Sequence, residues 1–445
     1  MNPQKVVISQ DLEQALTEAV GSCEHDRTFF LVDETTERCC LPLVSAMACV
    51  KGAGVIVIGA TDTHKTLESL AHVWQALGEG GATRHSLLIN IGGGMVTDLG
   101  GFAASTFKRG INYINIPTTL LAMVDASVGG KTGINFRGLK NEVGVFSNAN
   151  TVILDTTFLK TLDTENIRSG YAEMLKHGLI SNEKMWAKLV GTENLELRTE
   201  RYDNLASPDS AVKSNILTSP DSAVKSNNLT SPDSAVNSNN VASPDSDGNI
   251  NNPASPDSAD KSNHTSQFSP LSSHFSVLTS QFSLLSSQFR QMLADSVAVK
   301  QRIVTEDPLE QGIRKALNLG HTIGHAFESF ALSHNGDSRS GGISPILHGY
   351  AVAYGLVCEL YLSAVKTGFP TDKMHQTVSF IKEHYGKMNI TCDDYPTLLE
   401  LMTHDKKNVA GTINFTLLGD IGDIRINQTA TKDEIFEALD FYREC

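Results

Sequence analysis

Residues 86–102 read SLLINIGGGMVTDLGGF. An apolar run with strand character meets three successive glycines at 92–94 and continues as a helical pattern. Such a turn lets the backbone approach a pyrophosphate while the following helix aims its N-terminus at the anion. The pattern is not GxGxxG, and glycine runs also serve close helix–strand packing, so both readings stay open from these residues alone. Asp98 bonds a cofactor hydroxyl on the first reading and caps the helix on the second.

Further runs of the same kind flank this stretch: TFFLVD (28–33), GVIVIG (54–59), YINIP (113–117) and TVILD (151–155). They are apolar on both faces, and they alternate with helical patterns such as Lys65–Leu77, which implies βαβ units and a mostly parallel sheet covered by helices. From about Glu165 the periodicity turns helical, over 165–190, 290–304, 313–332, 348–367, 371–386 and 396–407. The expectation is an α/β Rossmann-like N-terminal domain over 1–160 and a mainly α-helical domain over 161–205 and 290–445, with the site in the cleft between them.

Residues 206–289 do not belong to either pattern. These 84 positions hold 23 Ser. SPDS recurs every twelve residues from Ser207 to Ser255, and a seven-residue repeat follows with Phe268, Phe275, Phe282 and Phe289 interleaved by Leu271, Leu278 and Leu285. The Phe/Leu spacing resembles a coiled-coil seam, but Ser is a middling helix former and Pro270 interrupts, so the tract reads as a low-complexity tandem insertion, mostly disordered.

The whole chain has 445 residues, 40% of them hydrophobic, and a formal charge of −14. An acidic chain without basic runs argues against nucleic-acid binding. Seven scattered cysteines with no CxxC disfavour a disulfide framework or a zinc–cysteine site. The N-terminus lacks a signal-like pattern, and no run of 18 apolar residues occurs, so the protein reads as soluble and cytoplasmic.

Four further segments carry chemistry. KRGINYINIPTTLLAMVDASVGGKTGINFRGLKN (108–141) sets Lys108, Arg109, Lys131, Arg137 and Lys140 among glycine turns, which suits phosphate or carboxylate binding. GYAEMLKHG (170–178) puts Glu173 and Lys176 on one helix face, ordinarily a surface ion pair. RKALNLGHTIGHAFES (314–329) places His321 and His325 one turn apart, and His348 follows in LHGYAVAYG. Three histidines and Glu173 offer the donors of a catalytic Zn²⁺; spacing does not say which of His321 and His325 is a ligand. TEDPLEQGIRKALN (305–318) adds Glu310, Arg314 and Asn318 just before the histidine helix.

Taken in order, GGGMVTDLGGFAAS, PTTLLAMVDASVGGKTGIN, LKNEVGVF, GYAEMLKHG and LNLGHTIGHAFES resemble the 3-dehydroquinate synthase family of the shikimate pathway, over essentially the whole chain except 206–289. The resemblance implies a homodimer that uses NAD⁺ and a divalent metal, Zn²⁺ or Co²⁺. It implies conversion of 3-deoxy-D-arabino-heptulosonate 7-phosphate to 3-dehydroquinate and phosphate by transient oxidation, phosphate elimination, re-reduction and aldol closure. By similarity the metal ligands are Glu173, His321 and His348. NAD⁺ contacts fall on Asp62, Lys65, Gly93, Gly94, Met95, Val96, Thr97, Asp98, Thr118, Thr119, Lys131, Lys140, Phe158, Leu159, Lys160 and Thr161. Substrate contacts fall on Arg109, Asp125, Lys131, Lys140, Asn141, Lys176, Lys300, Glu310, Arg314, Asn318, His325 and one of Lys406 and Lys407, with Arg109 a candidate to act across a dimer interface. The family's acidic adenosine-binding stretch is represented by GATDTHKTL (59–67), so Asp62 takes the acidic part, and the tandem tract has no counterpart in the family pattern. A different sugar-phosphate cyclase, a metal-dependent polyol dehydrogenase and a non-catalytic relative are the competing readings. A deletion joining Leu205 to Arg290 is expected to keep the fold and most activity; loss of soluble expression would show that the Phe/Leu heptads supply core.

Overall fold

The computed structural model describes residues 4–137, 139–191, 286–334, 345–403 and 413–445. The structure read for the 206–285 part of the tract, and the positions of Lys406 and Lys407, lie outside the described residues. Six strands, β1 (Lys5–Ile8), β2 (Thr28–Asp33), β3 (Gly54–Ile58), β4 (Leu87–Gly92), β5 (Asn112–Pro117) and β8 (Thr151–Leu154), form one parallel sheet in the order β1-β8-β5-β4-β2-β3. Every residue of β4 and β8 is buried, as runs apolar on both faces require. Strand order reverses between β2 and β4, so the glycine turn that leaves β4 stands at the crevice where such sheets bind ligands.

Helices α1 (Leu12–Gly21), α2 (Leu67–Glu79) and α3 (Gly94–Thr106) belong to this half, and α3 packs on β4 and β5. Two elements were not legible in the sequence here. The short strand β1 is a four-residue run at the sheet edge, and β6 (Lys131–Phe136) with β7 (Leu139–Phe146) makes an antiparallel hairpin where the residues read as basic, glycine-rich turns.

The second half contains α4 (Thr164–Leu179), α5 (Glu183–Val190), α6 (Ser287–Glu306), α7 (His321–Ser333), α8 (His348–Thr367), α9 (Thr371–Tyr385), α10 (Tyr395–Thr403) and α11 (Lys432–Glu444). A second hairpin, β9 (Asn414–Asp420) with β10 (Asp423–Thr429), interrupts it. The helical period expected over 313–332 is broken: Ile313–Asn318 is a 3₁₀ turn, and Gly320, at φ 78°, starts α7 afresh. No helix among the described residues is long and apolar enough to cross a membrane.

Close approach of helix backbones assembles this half. A Cβ on Gly355 would lie 2.0 Å from the Gly320 carbonyl oxygen, and one on Gly349 1.9 Å from that of Ser169. Glycine therefore sets the distances from α8 to α7 and to α4. Gly320 offers no side-chain cap to α7, and the orphan N–H groups are met from α8 instead. The fully buried Glu359 carboxylate accepts from the backbone of Gly320 at 2.6 Å, Thr322 at 3.0 Å and Ile323 at 3.1 Å.

Helix α6 begins three residues inside the tract assigned to the insertion. Ser286 caps it through Phe289 N–H at 3.1 Å, and Phe289 is 3% exposed. The deletion boundary drawn at Arg290 therefore removes a cap and a core side chain. A deletion ending at Leu285 is expected to be more stable than one ending at Phe289 by roughly 3–5 kcal/mol, read by urea unfolding. Glu359→Ala strands three buried N–H groups, and an expected loss of roughly 3–9 kcal/mol follows from about 1–3 kcal/mol per buried orphan; an unchanged unfolding midpoint would refute the cap's importance.

Candidate active site

Three helices converge on one carboxylate. Glu173 of α4 is fully buried, and its Oε1 is faced by His321 Nε2 of α7 at 3.3 Å and by His348 Nε2, at the first residue of α8, at 3.6 Å. Donors held about 2.0–2.2 Å from one tetrahedral ion stand roughly 3.4 Å apart, so these separations suit a shared cation. Neither Glu173 oxygen receives a well-directed hydrogen bond among the described residues, although the Lys176 ammonium lies against Oε2. Burial alone would raise the Glu173 carboxyl; Lys176 and His321 outweigh it and hold the group well below the ordinary range.

Both rings are oriented from behind. His321 Nδ1 donates to the Leu319 carbonyl at 3.1 Å, since a carbonyl only accepts, and this turns Nε2 toward Glu173. His348 Nδ1 meets Glu328 Oε2 at 3.5 Å. Burial would lower His348, but the two carboxylates push it up to about 10. His325 completes a group of three histidines whose nitrogens lie within 4.8 Å of one another, with its ring 5.3 Å from that of His321. His321 Nε2 is thus the α7 nitrogen set against Glu173 at 3.3 Å, within a cluster that His325 shares.

Around this centre lie the charged groups singled out in the sequence. Asp125 sits in a π-helical turn (Ala122–Ala126), where its carboxylate and carbonyl both accept from Lys300 of α6, the carbonyl at 2.6 Å. Burial would raise the Asp125 carboxyl, yet Lys300 and then Lys176 hold it below its usual range. Lys131, at the start of β6, pairs with Glu310, whose Oε1 accepts from Asn318 at 3.0 Å. Arg314 is 2% exposed and donates to the carbonyls of Pro308 at 2.6 Å and Gly129 at 3.0 Å. Gly129 adopts φ 101°, a conformation that presents this carbonyl and that a side chain would resist.

The expected cofactor residues gather at the crevice. Helix α3 starts at Gly94 with no side-chain cap, which leaves its first N–H groups open to an anion. Thr118 N–H donates to the Gly92 carbonyl at 2.9 Å, and the Thr119 methyl would touch a Cβ on Gly93 at 3.2 Å, so the exit of β5 lies against the turn. Asp98 does not cap α3; it pairs with the buried Lys65 at 2.6 Å, and Lys65 also bonds Asn141. Burial pushes the Asp98 carboxyl up despite that ammonium. Asp62 accepts from Asn135 at 3.1 Å and stands 3.8 Å from Lys140. Met95 is half-buried and Lys160 exposed, while Thr97 and Thr161 donate to the Gly94 and Phe158 carbonyls. Val96, Phe158 and Leu159 are core side chains, so only their main chain is free to face a ligand.

Arg109 is not gathered with these. It is exposed, with φ 72°, and lines an open cleft of 480 Å³ with Arg84, His85 and Lys108. Two residues escaped sequence reading, Glu328 and Glu359: each looked like a solvent-facing acid in a helical pattern, and Glu328's place seven residues after His321 was the available signal.

Comparison with known proteins now decides the family. The sequence models of 3-dehydroquinate synthase N-terminal and C-terminal regions match residues 55–169 and 265–408. The chain belongs to the 3-dehydroquinate synthase family. A 3-dehydroquinate synthase of Parabacteroides distasonis is 45% identical over 444 residues, covering 100% of this chain and 99% of that one. Among solved structures, a 2-epi-5-epi-valiolone synthase from Streptomyces hygroscopicus, with NAD⁺ and Zn²⁺ bound, aligns with a TM-score of 0.71 at 21% identity over 100% of this chain and 98% of that one. A 2-deoxy-scyllo-inosose synthase complexed with carbaglucose-6-phosphate, NAD⁺ and Co²⁺ aligns at 0.63, with 18% identity over 99% and 96%. At these identities the two structures show the fold alone, an α/β Rossmann-like half followed by a helical half.

The arrangement predicts a test between the two histidines of α7. Glu173→Ala and His321→Ala should each abolish stoichiometric Zn²⁺ binding in chelator competition. His325→Ala should keep affinity within roughly the 10-fold that a neighbouring, non-ligating group controls; the reverse pattern would move the ligand role to His325.

Proposed function

We propose that this chain converts 3-deoxy-D-arabino-heptulosonate 7-phosphate into 3-dehydroquinate and inorganic phosphate, using NAD⁺ and one divalent cation, Zn²⁺ or Co²⁺. The observation that carries the reading is the convergence of His321 Nε2 and His348 Nε2 on one oxygen of the buried Glu173. These three residues would hold the cation. The glycine turn, the start of α3, Thr118, Thr119, Asp62 and the main chain of 158–161 would hold the dinucleotide. When bound, the cation makes a ring hydroxyl more acidic and the nicotinamide accepts and returns a hydride.

The chain's own residues do the rest by position and charge. Lys131, Lys140, Asn141, Lys176 and Lys300, with one of Lys406 and Lys407, orient a phosphate and a carboxylate in a fixed pose, which lowers the entropic part of the barrier. Lys300, Arg314 and Asn318 suit a substrate that bears a carboxylate. Asp125 keeps Lys300 in place through both its carboxylate and its carbonyl. Glu310, bridged between Lys131 and Asn318, and His325, beside the metal group, are placed to handle protons or position water. The exposed Arg109, apart from the other site residues, reads as a contribution to a second copy's site in a homodimer working in the cytoplasm.

The test is phosphate release from the heptulosonate phosphate in the presence of NAD⁺ and Zn²⁺, with the product trapped by a dehydratase. The expected result is one phosphate per dehydroquinate and no net NADH. Steady NADH accumulation would identify a polyol dehydrogenase, and no turnover with metal and NAD⁺ supplied would refute the reading.

A further inference from the structure

Glu328 has no part in the reaction as described, yet it touches both halves of the site. It stands on α7 three residues after His325 and seven after His321, so the three side chains share one stripe of that helix. Its two oxygens serve different partners. Oε1 accepts from Lys140 Nζ of β7 at 2.7 Å, and Oε2 lies 3.5 Å from His348 Nδ1 of α8. The side chain is 14% exposed, against 47% for Lys140. Lys140 reaches on to Asp62 Oδ2 at 3.8 Å, in the turn before α2.

An imidazole that presents Nε2 to a metal needs its Nδ1–H held by an acceptor, or the ring turns and the wrong tautomer competes. For His321 a backbone carbonyl does this, fixed by the fold. For His348 the acceptor is a carboxylate on a rotatable side chain, and that side chain is in turn held by a lysine from the hairpin. The two histidines are therefore controlled differently: one by the main chain, the other by an ion pair that crosses between the halves.

We propose that Glu328 is the positioning residue of His348, and that Lys140 acts on the metal centre through it. This rests on the metal assignment of Glu173, His321 and His348. The hairpin β6–β7, which also carries Lys131 and Asn141, is by the same contact tied to the metal centre, so a disturbance of the Lys140 strand weakens metal binding without touching a ligand.

The experiment measures Zn²⁺ affinity of the full-length protein by chelator competition, with the visible absorption of the Co²⁺-loaded form as a second readout. Wild type is compared with Glu328→Gln, Lys140→Met, the double variant and Glu173→Ala. Glu328→Gln is expected to lose about 10–100-fold in affinity and to shift the Co²⁺ bands, the usual consequence of removing an outer-shell acceptor. Lys140→Met, at a half-exposed position that the fold tolerates, should lose less, in the same direction. The double variant should be no weaker than Glu328→Gln alone, because the lysine acts only through the glutamate. Wild-type affinity and unshifted bands in Glu328→Gln would overturn the proposal. Additive losses in the double variant would overturn the part played by Lys140. Retention of Zn²⁺ by Glu173→Ala would instead bring down the metal assignment and the proposal with it.

Discussion

Glu359, buried in the middle of α8, accepts three backbone N–H bonds from the first turn of α7, and the rest of the site depends on that contact. Helix α7 begins at a left-handed glycine and has no cap of its own. Without a carboxylate from a neighbour its N-terminal donors would be buried and unmet, a costly arrangement. With it, the first residue of α7 is fixed, and that residue is His321. The helix that supplies the cap starts with His348, so one side chain sets the separation of two histidines along with the contact of two helices. The glycines at 320, 349 and 355 permit the approach; the carboxylate fixes its register.

Electrostatics in the same region follow from burial. Glu173, Lys176 and Lys300 are buried, with Asp125 at their partly exposed edge, where an isolated charge would be heavily penalised. They are tolerated because each has an opposite charge against it: Lys176 at Glu173 and Lys300 at Asp125. His177 is held neutral in that setting, pushed down to about 3 chiefly by burial, with Nδ1 bonded to Ser296 of α6 at 2.8 Å. A polyanionic substrate entering beside such pairs meets cations that are already oriented, so little rearrangement is needed at the moment of binding.

Much of this was legible in the sequence, and the reason differs by element. Strands β2, β4, β5 and β8 announced themselves because central parallel strands must be apolar on both faces, and α8 was bounded without error at 348–367. The hairpin β6–β7 was not visible: Lys131–Phe146 alternates weakly, its β7 side chains are all exposed, and its glycines and lysines read as a turn. Hairpin β9–β10 and the final helix α11 carry no chemistry-bearing motif that marks them in the sequence. Within the site, residue types and order pointed to the donors, but partner choice is tertiary. Asp98 reads as a cap or a cofactor ligand; in the fold it does not cap the helix, and it holds Lys65. Glu328 and Glu359 are ordinary helix-surface glutamates by pattern, and only the packing of α7 against α8 and β7 gives them work.

The long repeat tract poses a problem that α6 answers. The described residues stop at Gly191, left-handed at φ 76°, and resume at Ser286, yet Glu173 lies before that interval and both histidines after it. The return must be in register to within a residue or Glu173 cannot meet His321 and His348. Helix α6 supplies the register along one face. Phe289 is seated in the core, Ser296 meets His177 and Lys300 meets Asp125, at spacings of seven and four residues that return to the same side of a helix. Two of the three anchors are polar groups with single, directional partners, so a one-residue slip would leave Lys300 buried without its carboxylate and His177 without its hydroxyl. An apolar face alone would tolerate slippage at modest cost; buried polar partners do not.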